Sequence, residues 1–181
     1  MPKAKENDLV DSELIKGIKQ SDKEAFRKLY YKYFDKLIRF AYYRTNSIET
    51  SRDLVQEIFF KVWQMREKLN PDKSIKSYLY KSLSNSIINH IKLASTKNIS
   101  LEEVEFTNST NNEKQLDTEI DLQNALKLLP EKLKTVYILS RVEGYKYEEI
   151  AVICAISIKA VEKRMSKAFE ILRKYFNPPS R

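Results

Sequence analysis

Residues 147–173 read YEEIAVICAISIKAVEKRMSKAFEILR and predict two amphipathic helices separated by a three-residue turn. Ser157 is a good N-cap for a helix beginning at Ile158, and Ala155 and Ile156 end the first helix without a proline. Apolar residues recur on one face of each helix, at Ile150, Ala151 and Cys154 and at Val161, Met165, Ala168 and Leu172. Because the two helices can bury a shared seam, the segment predicts a helix-turn-helix.

The opposite face of the second helix is polar and mostly basic. It comprises Lys159, Glu162, Lys163, Ser166 and Lys167. A protein that reads duplex DNA must offer hydrogen-bond donors to base edges or positive charge to phosphates, and all of these side chains except the glutamate can donate. The same pattern also fits a solvated helical hairpin with a basic outer face.

The composition of the 181-residue chain favours helices throughout. It holds only 2 glycines and 5 prolines, and alternating strand patterns are rare, so we predict an all-α fold of one ordinary domain or two small ones. The net charge of +8 favours nucleic acid over a membrane as the partner. No apolar run is long enough to span a bilayer and the N-terminus lacks a signal-peptide pattern, so we expect a cytoplasmic protein.

Residues 94–120 break the helical pattern with Asn, Ser and Thr, and we interpret them as a flexible acidic linker. Residues 1–93 carry a net charge of +7, the linker −4, and residues 121–181 +5. Two small basic helical domains on one tether can make two contacts with a single polyanion. A plain solvated linker explains the acidity equally well.

The first domain reads as four or five helices. Asp11 precedes the first of them, and Ser21 with Glu24 predicts a capping box ahead of a long second helix. The second helix carries an apolar stripe that we expect in the core: Phe26, Leu29, Tyr30, Tyr33, Leu37, Ile38 and Ala41. A third helix, from about Ser47, buries Leu54, Ile58 and Val62. That leaves Asp53, Gln56, Glu57, Phe60, Lys61 and Gln64 on other faces, where an exposed Phe60 beside acids is an unusual solvent surface.

Asn70 and Pro71 interrupt the pattern before a further helix over about 75–93. Around this helix, bases alternate with aromatics and amides: Lys73, Lys76, Tyr78, Tyr80, Lys81, Asn85, Asn89, His90 and Lys92. Aromatic rings stack on exposed bases, amides bond to their edges, and lysines follow the backbone, so the mixture suits opened or single-stranded nucleic acid. The alternative is an ordinary helix that buries Leu79, Leu83, Ile87 and Ile91.

Nothing in the sequence predicts catalysis or a bound metal. There is no phosphate-binding loop, no nucleophile elbow and no zinc-protease motif, so we expect neither enzymatic activity nor a cofactor. Cys154 is the single cysteine and is expected to be a small buried hydrophobe. His90 is the single histidine and has no second ligand beside it.

Three segments resemble, in the right order, the sigma-70-like RNA polymerase sigma factors, specifically the short extracytoplasmic-function (ECF) group. DLVQEIFFKVW (53–63) is similar to the helix that docks on the polymerase. NPDKSIKSYLYKSLSNSIINHIK (70–92) is similar to the region that reads the minus-ten element. LPEKLKTVYILSRVEGYKYEEIAVICAISIKAVEKRMSKAFEILRKYF (129–176) resembles the region that reads the minus-thirty-five element.

The resemblance implies sigma region 2 in residues 1–93 and sigma region 4, with the helix-turn-helix, in residues 121–181. It implies polymerase contacts at Asp53, Gln56, Glu57 and Phe60. It implies minus-ten contacts at Leu69, Asn70, Lys73, Ser74, Lys76, Tyr78, Lys81 and Asn85, with Asn85 beside a flipped base. It implies minus-thirty-five contacts at Ser157, Lys159, Glu162, Lys163, Arg164, Ser166 and Lys167.

The implied partners are core RNA polymerase and promoter DNA, with polymerase contacts on the clamp helices of the largest subunit and the flap of the second-largest. A further implied partner is an anti-sigma factor, often membrane-bound. The chain departs from the family pattern at Ala155, where glycine is frequent, and at Ser74 and Tyr78, where proline and tryptophan are usual. We expect Ala155 to be tolerated only if the turn does not require a left-handed residue.

Two rival functions follow from the same residues. One is a dimeric helix-turn-helix regulator that acts without polymerase and binds palindromic duplex tightly. The other is a protein-interaction module that never reads DNA, in which alanine at Lys163 and Lys167 would leave function unchanged.

Overall fold

Helix-forming residues dominate the chain, and every regular element in the part described by the computed structural model is helical, which confirms the all-α prediction. The structure describes the backbone of residues 2–96 and 121–176, and the side chains of residues 10–93 and 121–176. The chain divides into two compact units, residues 1–101 and 102–181. Most of the predicted linker, 94–120, lies outside the described residues.

The N-terminal unit is built around its second helix, α2, which packs against α1, α3 and α4. The elements are α1 (Pro2–Lys19), α2 (Lys23–Thr45), α3 (Ile48–Gln64), a 3-10 turn (Arg66–Lys68) and α4 (Ile75–Thr96). Helix α3 also packs against α4. The core is formed by fully buried side chains that recur at helical spacing: Leu29, Leu37 and Phe40 of α2, Val55, Ile58 and Val62 of α3, and Leu79, Leu83 and Ile87 of α4.

The sequence predicted that Asp11 precedes the first helix. In the structure Asp11 lies within α1. It is buried, and its carboxylate accepts hydrogen bonds from Lys32 Nζ at 2.7 Å and from the hydroxyl of Tyr33. A buried carboxylate needs such partners because losing its hydration is costly. Asp11 therefore joins α1 to α2 instead of capping a helix.

The cap of α2 is Asp22 and not Ser21, so the predicted capping box is wrong. The Asp22 Oδ1 atom accepts from the backbone N–H groups of Glu24 at 2.8 Å and Ala25 at 3.2 Å. Ser21 has φ 63° and lies in the left-handed turn that ends α1, so its side chain is not placed to cap α2. Its Oγ instead accepts from Arg66 Nε at 2.9 Å.

A buried arginine fixes α4 on α2. Arg44 Nη1 donates to Ser84 Oγ at 2.9 Å, and the guanidinium carbon lies 5.2 Å from the centre of the Phe40 ring. Phe40 in turn packs edge-on against Tyr80 at 5.1 Å. These contacts set which face of α4 is turned to solvent.

The C-terminal unit is organised by its last helix, α8, which packs against α6 and α7. The elements are α5 (121–127), α6 (Glu131–Tyr137), a π-helical turn (Ile138–Val142), α7 (Tyr147–Cys154) and α8 (Ile158–Phe176). The predicted seam of α8 is confirmed, since Val161, Met165, Ala168 and Leu172 are all buried. Cys154 is only half-buried, because Ile150, Ala151 and Ile153 form the buried face of α7 and Cys154 ends the helix.

The turn between α7 and α8 forces Ala155 into the left-handed conformation, with φ 52° and ψ 49°. The Ile156 N–H donates to the Ala151 carbonyl at 3.0 Å and the Ala155 N–H to the Val152 carbonyl at 3.3 Å. This is a Schellman motif, in which glycine is usual at the left-handed position. We expected Ala155 to be tolerated only if the turn did not require a left-handed residue; the turn does place Ala155 in that conformation, so this expectation is wrong.

Replacing Ala155 by glycine should therefore raise the free energy of unfolding of the C-terminal unit by about 1 kcal/mol, because glycine adopts positive φ without a steric penalty. Urea denaturation of the full chain followed by circular dichroism measures the change. Trp63, the single tryptophan, reports the N-terminal unit by fluorescence, and its transition should not move. The control Ala160→Gly lies inside α8 and should destabilise; equal shifts of both variants in one direction would contradict the strain argument.

Candidate polymerase and DNA interfaces

The exposed face of α3 carries the four predicted polymerase contacts, and we call it the α3 surface: Asp53, Gln56, Glu57 and Phe60. Phe60 leaves 60% of its surface exposed. Glu57 forms an ion pair with Lys61, one helical turn along, in which Lys61 Nζ lies 2.6 Å from Glu57 Oε1. The surface thus combines an exposed ring with carboxylates and an amide, as the sequence pattern predicts.

The orientation of the α3 surface follows from an aromatic cluster on its other side. Phe59 is buried against Tyr30, with ring centres 4.8 Å apart, and against Phe26 at 6.2 Å. Trp63 lies 5.0 Å from Phe26, and Arg66 covers its ring at 5.0 Å. Phe59 faces this cluster, and its neighbour Phe60 points about 100° away around the helix, where it is exposed. Burial is also the main cause that raises the pKa of Tyr30.

The loop before α4 is a tight turn held by Asn70. Its Oδ1 accepts from the Asp72 N–H at 2.9 Å, and its carbonyl accepts from the Lys73 N–H at 3.1 Å, with Pro71 at the second position. Ser74 then caps α4, since its Oγ accepts from the Ser77 N–H at 3.2 Å. The side-chain oxygen atoms of Asn70 and Ser74 are therefore engaged in shaping the loop and the start of α4.

Four of the predicted minus-ten residues are exposed, and we call them the α4 surface: Asn70, Lys73, Lys81 and Asn85. Asn85 lies between Lys81 and the exposed Asn89 in one row, at four-residue spacing. Tyr78 is half-buried, and its hydroxyl donates to Met65 Sδ at 3.0 Å. This hydrogen bond joins α4 to Met65, the residue that ends α3.

Two predicted minus-ten residues are turned inward. Leu69 is buried, and its carbonyl accepts from Lys19 Nζ at 2.7 Å. Lys76 is also buried, with 8% of its surface exposed. We therefore remove both side chains from the set that can reach DNA in the free chain. The spacing of Lys76 on α4 gave no sign of this, because its burial depends on how α4 packs on its neighbours.

The outer face of α8 carries the predicted minus-thirty-five residues, and we call it the α8 surface: Lys159, Glu162, Lys163, Ser166 and Lys167. All are exposed, and no hydrogen bond or ion pair within 121–176 engages their side chains. Ser157 is exposed and caps α8, with its Oγ accepting from the Ala160 N–H at 3.2 Å. Arg164 is half-buried at the edge of this surface.

Contacts on the other side of α8 hold this surface in place. The Phe169 ring packs against Tyr137 at 5.9 Å, and Arg141 lies 5.0 Å from its centre. Burial raises the pKa of Tyr137, while the nearby Arg141 opposes the rise. The sequence interpretation did not predict the contacts of Phe169 with Tyr137 and Arg141. It also missed Ile158, which is 43% exposed and lies on the polar face of α8. Its position four residues before Glu162 was the available signal.

The described residues were compared with the requirements of a metal site and of a membrane-spanning helix. Across the ranges given above, no three His, Cys, Asp or Glu side chains are grouped so that they could hold a metal ion. None of the helices in those ranges combines the length and the apolar character needed to cross a bilayer.

Comparison with known proteins identifies the family. The model of sigma-70 region 2 matches residues 29–96 and that of sigma-70 region 4 matches residues 119–172. RNA polymerase sigma factor SigV of Bacillus subtilis is 31% identical over 136 residues, 75% of this chain and 81% of SigV. The ECF RNA polymerase sigma-E factor of Haemophilus influenzae is 27% identical over 186 aligned positions, 94% of this chain and 97% of its own length.

A solved structure supports the same fold. The sigma factor RpoE of Bartonella quintana, crystallised with the anti-sigma factor NepR, matches 86% of this chain and 98% of its own with a TM-score of 0.66 at 21% identity. The two matched regions, their order along the chain and the 31% identity to SigV all indicate a sigma-70 factor. The chain therefore belongs to the sigma-70 family of RNA polymerase sigma factors, in its extracytoplasmic-function group.

Proposed function

We propose that this protein initiates transcription by binding core RNA polymerase, directing it to specific promoters and helping to open their DNA. One observation carries the proposal: the two sigma regions occur in the family order, and each exposes a face with the chemistry its role requires. The protein acts on the polymerase and on DNA without catalysing a reaction itself. Its place of action is the cytoplasm, where both partners are found.

The α3 surface is the proposed docking site for the clamp helices of the largest polymerase subunit. An exposed aromatic ring next to polar groups is typical of an energetically important contact, because the ring buries a large area at little conformational cost. Region 4 makes the second contact, on the flap of the second-largest subunit. Two weak contacts on one tethered chain give a complex tighter than either alone.

The α8 surface is the proposed reader of the minus-thirty-five duplex, and the α4 surface captures unpaired minus-ten bases. An exposed amide such as Asn85 can bond to the edge of a flipped base, while Lys73 and Lys81 balance the charge of the nearby backbone. The bonds formed with the flipped base offset the few kcal/mol that unstacking costs. Promoter opening therefore does not require the chain to catalyse an energy-releasing reaction.

We also propose an anti-sigma factor as a regulatory partner. RpoE of Bartonella quintana, which shares this fold, was solved with such a factor, NepR. An inhibitor that covers the α3 surface would block polymerase docking directly.

Run-off transcription tests the proposed function. Purified chain is added to core polymerase with genomic fragments, and discrete transcripts are expected that core polymerase alone does not make. The free chain should bind duplex weakly, because neither unit is expected to bind DNA tightly without polymerase. Absence of specific transcripts at low salt would contradict the proposal. Tight binding to a palindromic duplex without polymerase would favour a dimeric regulator.

A further inference from the structure

The outer face of α8 contains two parallel rows of different chemistry. Lys159, Lys163 and Lys167 form the lysine row, and Ile158, Glu162 and Ser166 form the mixed row. All six side chains are exposed. Members of one row are four residues apart, so they follow each other along the helix at about 6 Å.

The lysine row repeats one chemistry at every turn. A lysine ammonium is a point charge on a long flexible stem, and it suits a phosphate better than the bidentate geometry of a base edge. Contacts to phosphates fix the position and the affinity of a protein on DNA but carry no sequence information directly. Three identical charges in a line match a phosphate backbone.

The mixed row offers a different group at each turn. The only apolar group on the major-groove edge of a base pair is the methyl group of thymine, and Ile158, 43% exposed, can meet it. A carboxylate accepts from the N4 amino group of cytosine. The same carboxylate is repelled by phosphates, so Glu162 does not suit the backbone. Within residues 121–176 no ion pair neutralises Glu162, although Lys159 is three positions away.

The position of the mixed row on the helix fits this role. Recognition helices contact bases mainly with residues near their N-terminal end, and Ile158 is the first residue of α8. The spacing of about 6 Å between Ile158 and Glu162 corresponds to roughly two base pairs at 3.4 Å each. The two side chains can therefore address neighbouring positions of one element.

On the basis of the function proposed above, we infer that the mixed row determines the sequence read by α8 and the lysine row supplies its affinity. Ile158 reads the methyl group of a thymine. Glu162 reads the amino group of a cytosine about two base pairs away. Ile158 is thereby a specificity-determining residue in addition to the predicted set.

Selection of promoters by the holoenzyme tests this division. The probe is a promoter library randomised over the upstream element, transcribed with wild type, Ile158→Ala, Glu162→Gln and Lys163→Ala. Ile158→Ala should lose the preference for thymine at one position, and Glu162→Gln should relax a cytosine preference at a second, each by about ten-fold. Lys163→Ala should weaken binding to all sequences and reduce the slope of log K against log salt by about 1.

Removing one methyl group from the DNA tests the Ile158 contact most directly. Uracil in place of the selected thymine removes only the 5-methyl group. It should weaken wild type several-fold and leave Ile158→Ala unchanged. An equal effect on both proteins would overturn the assignment, as would a loss of base preference in Lys163→Ala with none in Ile158→Ala. If wild type selects no promoter at all, the proposed function fails instead, so the two failures are distinguishable.

Discussion

Phe60→Asp is expected to weaken binding of the chain to core RNA polymerase by about 30-fold or more, the effect of losing an aromatic hot spot worth about 2 kcal/mol. The Phe60 ring is 60% exposed on α3, next to Gln56 and Glu57, so the free protein does not need it for packing. Aspartate removes the ring and places an unpaired charge where the interface excludes water. Titration of labelled core polymerase measures the affinity directly.

A matched control separates this loss from a general effect of the added charge. Tyr31 is a 71% exposed aromatic on α2, outside the α3 surface, and Tyr31→Asp should change the affinity less than about two-fold. Both variants should unfold at the wild-type urea concentration when Trp63 fluorescence is followed. Unchanged binding by Phe60→Asp, or equal losses in both variants, would refute the assignment of the α3 surface.

Asn85→Ala is expected to reduce promoter opening by about 10- to 100-fold, the loss expected when the amide pairing to one base is removed. The amide is exposed on α4 beside Lys81 and makes no contribution to the core. Binding to core polymerase should be unchanged, because the variant leaves the α3 surface intact. Permanganate reactivity of unpaired thymines measures opening, and titration of core polymerase measures binding.

Asn89→Ala provides the matched comparison for this experiment. Asn89 is an exposed amide in the same row, one turn further along α4. Its loss should affect opening much less, because it lies farther from the loop at 70–73 that borders the α4 surface. Normal opening with Asn85→Ala would show that base capture lies elsewhere, even though the family is secure.

The helical repeat made the main features predictable. The seam and the outer face of α8 follow from apolar residues spaced three and four apart, and the structure places Met165 inside and Lys163 outside. The exposed Phe60 followed from the same rule applied to α3. These are one-dimensional patterns, and a helix converts them directly into faces.

What the sequence did not reveal depended on local competition or on tertiary packing. Ser21 and Asp22 are adjacent, and both are good caps, so only the left-handed backbone at Ser21 decides for Asp22. Asp11 and Lys76 are polar residues whose burial depends on the approach of another helix. Pattern reasoning assigns such residues to solvent by default, because buried charges are rare.

The central position of α2 has a consequence for synthesis of the protein on the ribosome. The helices that pack on α2, namely α1, α3 and α4, lie within the first 96 residues, so the N-terminal core has all of these helices before the last 85 residues are translated. Domains fold as units while the chain elongates at about 5–20 residues per second, which leaves several seconds for this step. The proposed docking surface around Phe60 is thus complete before α8, the proposed DNA-reading helix, has left the ribosome.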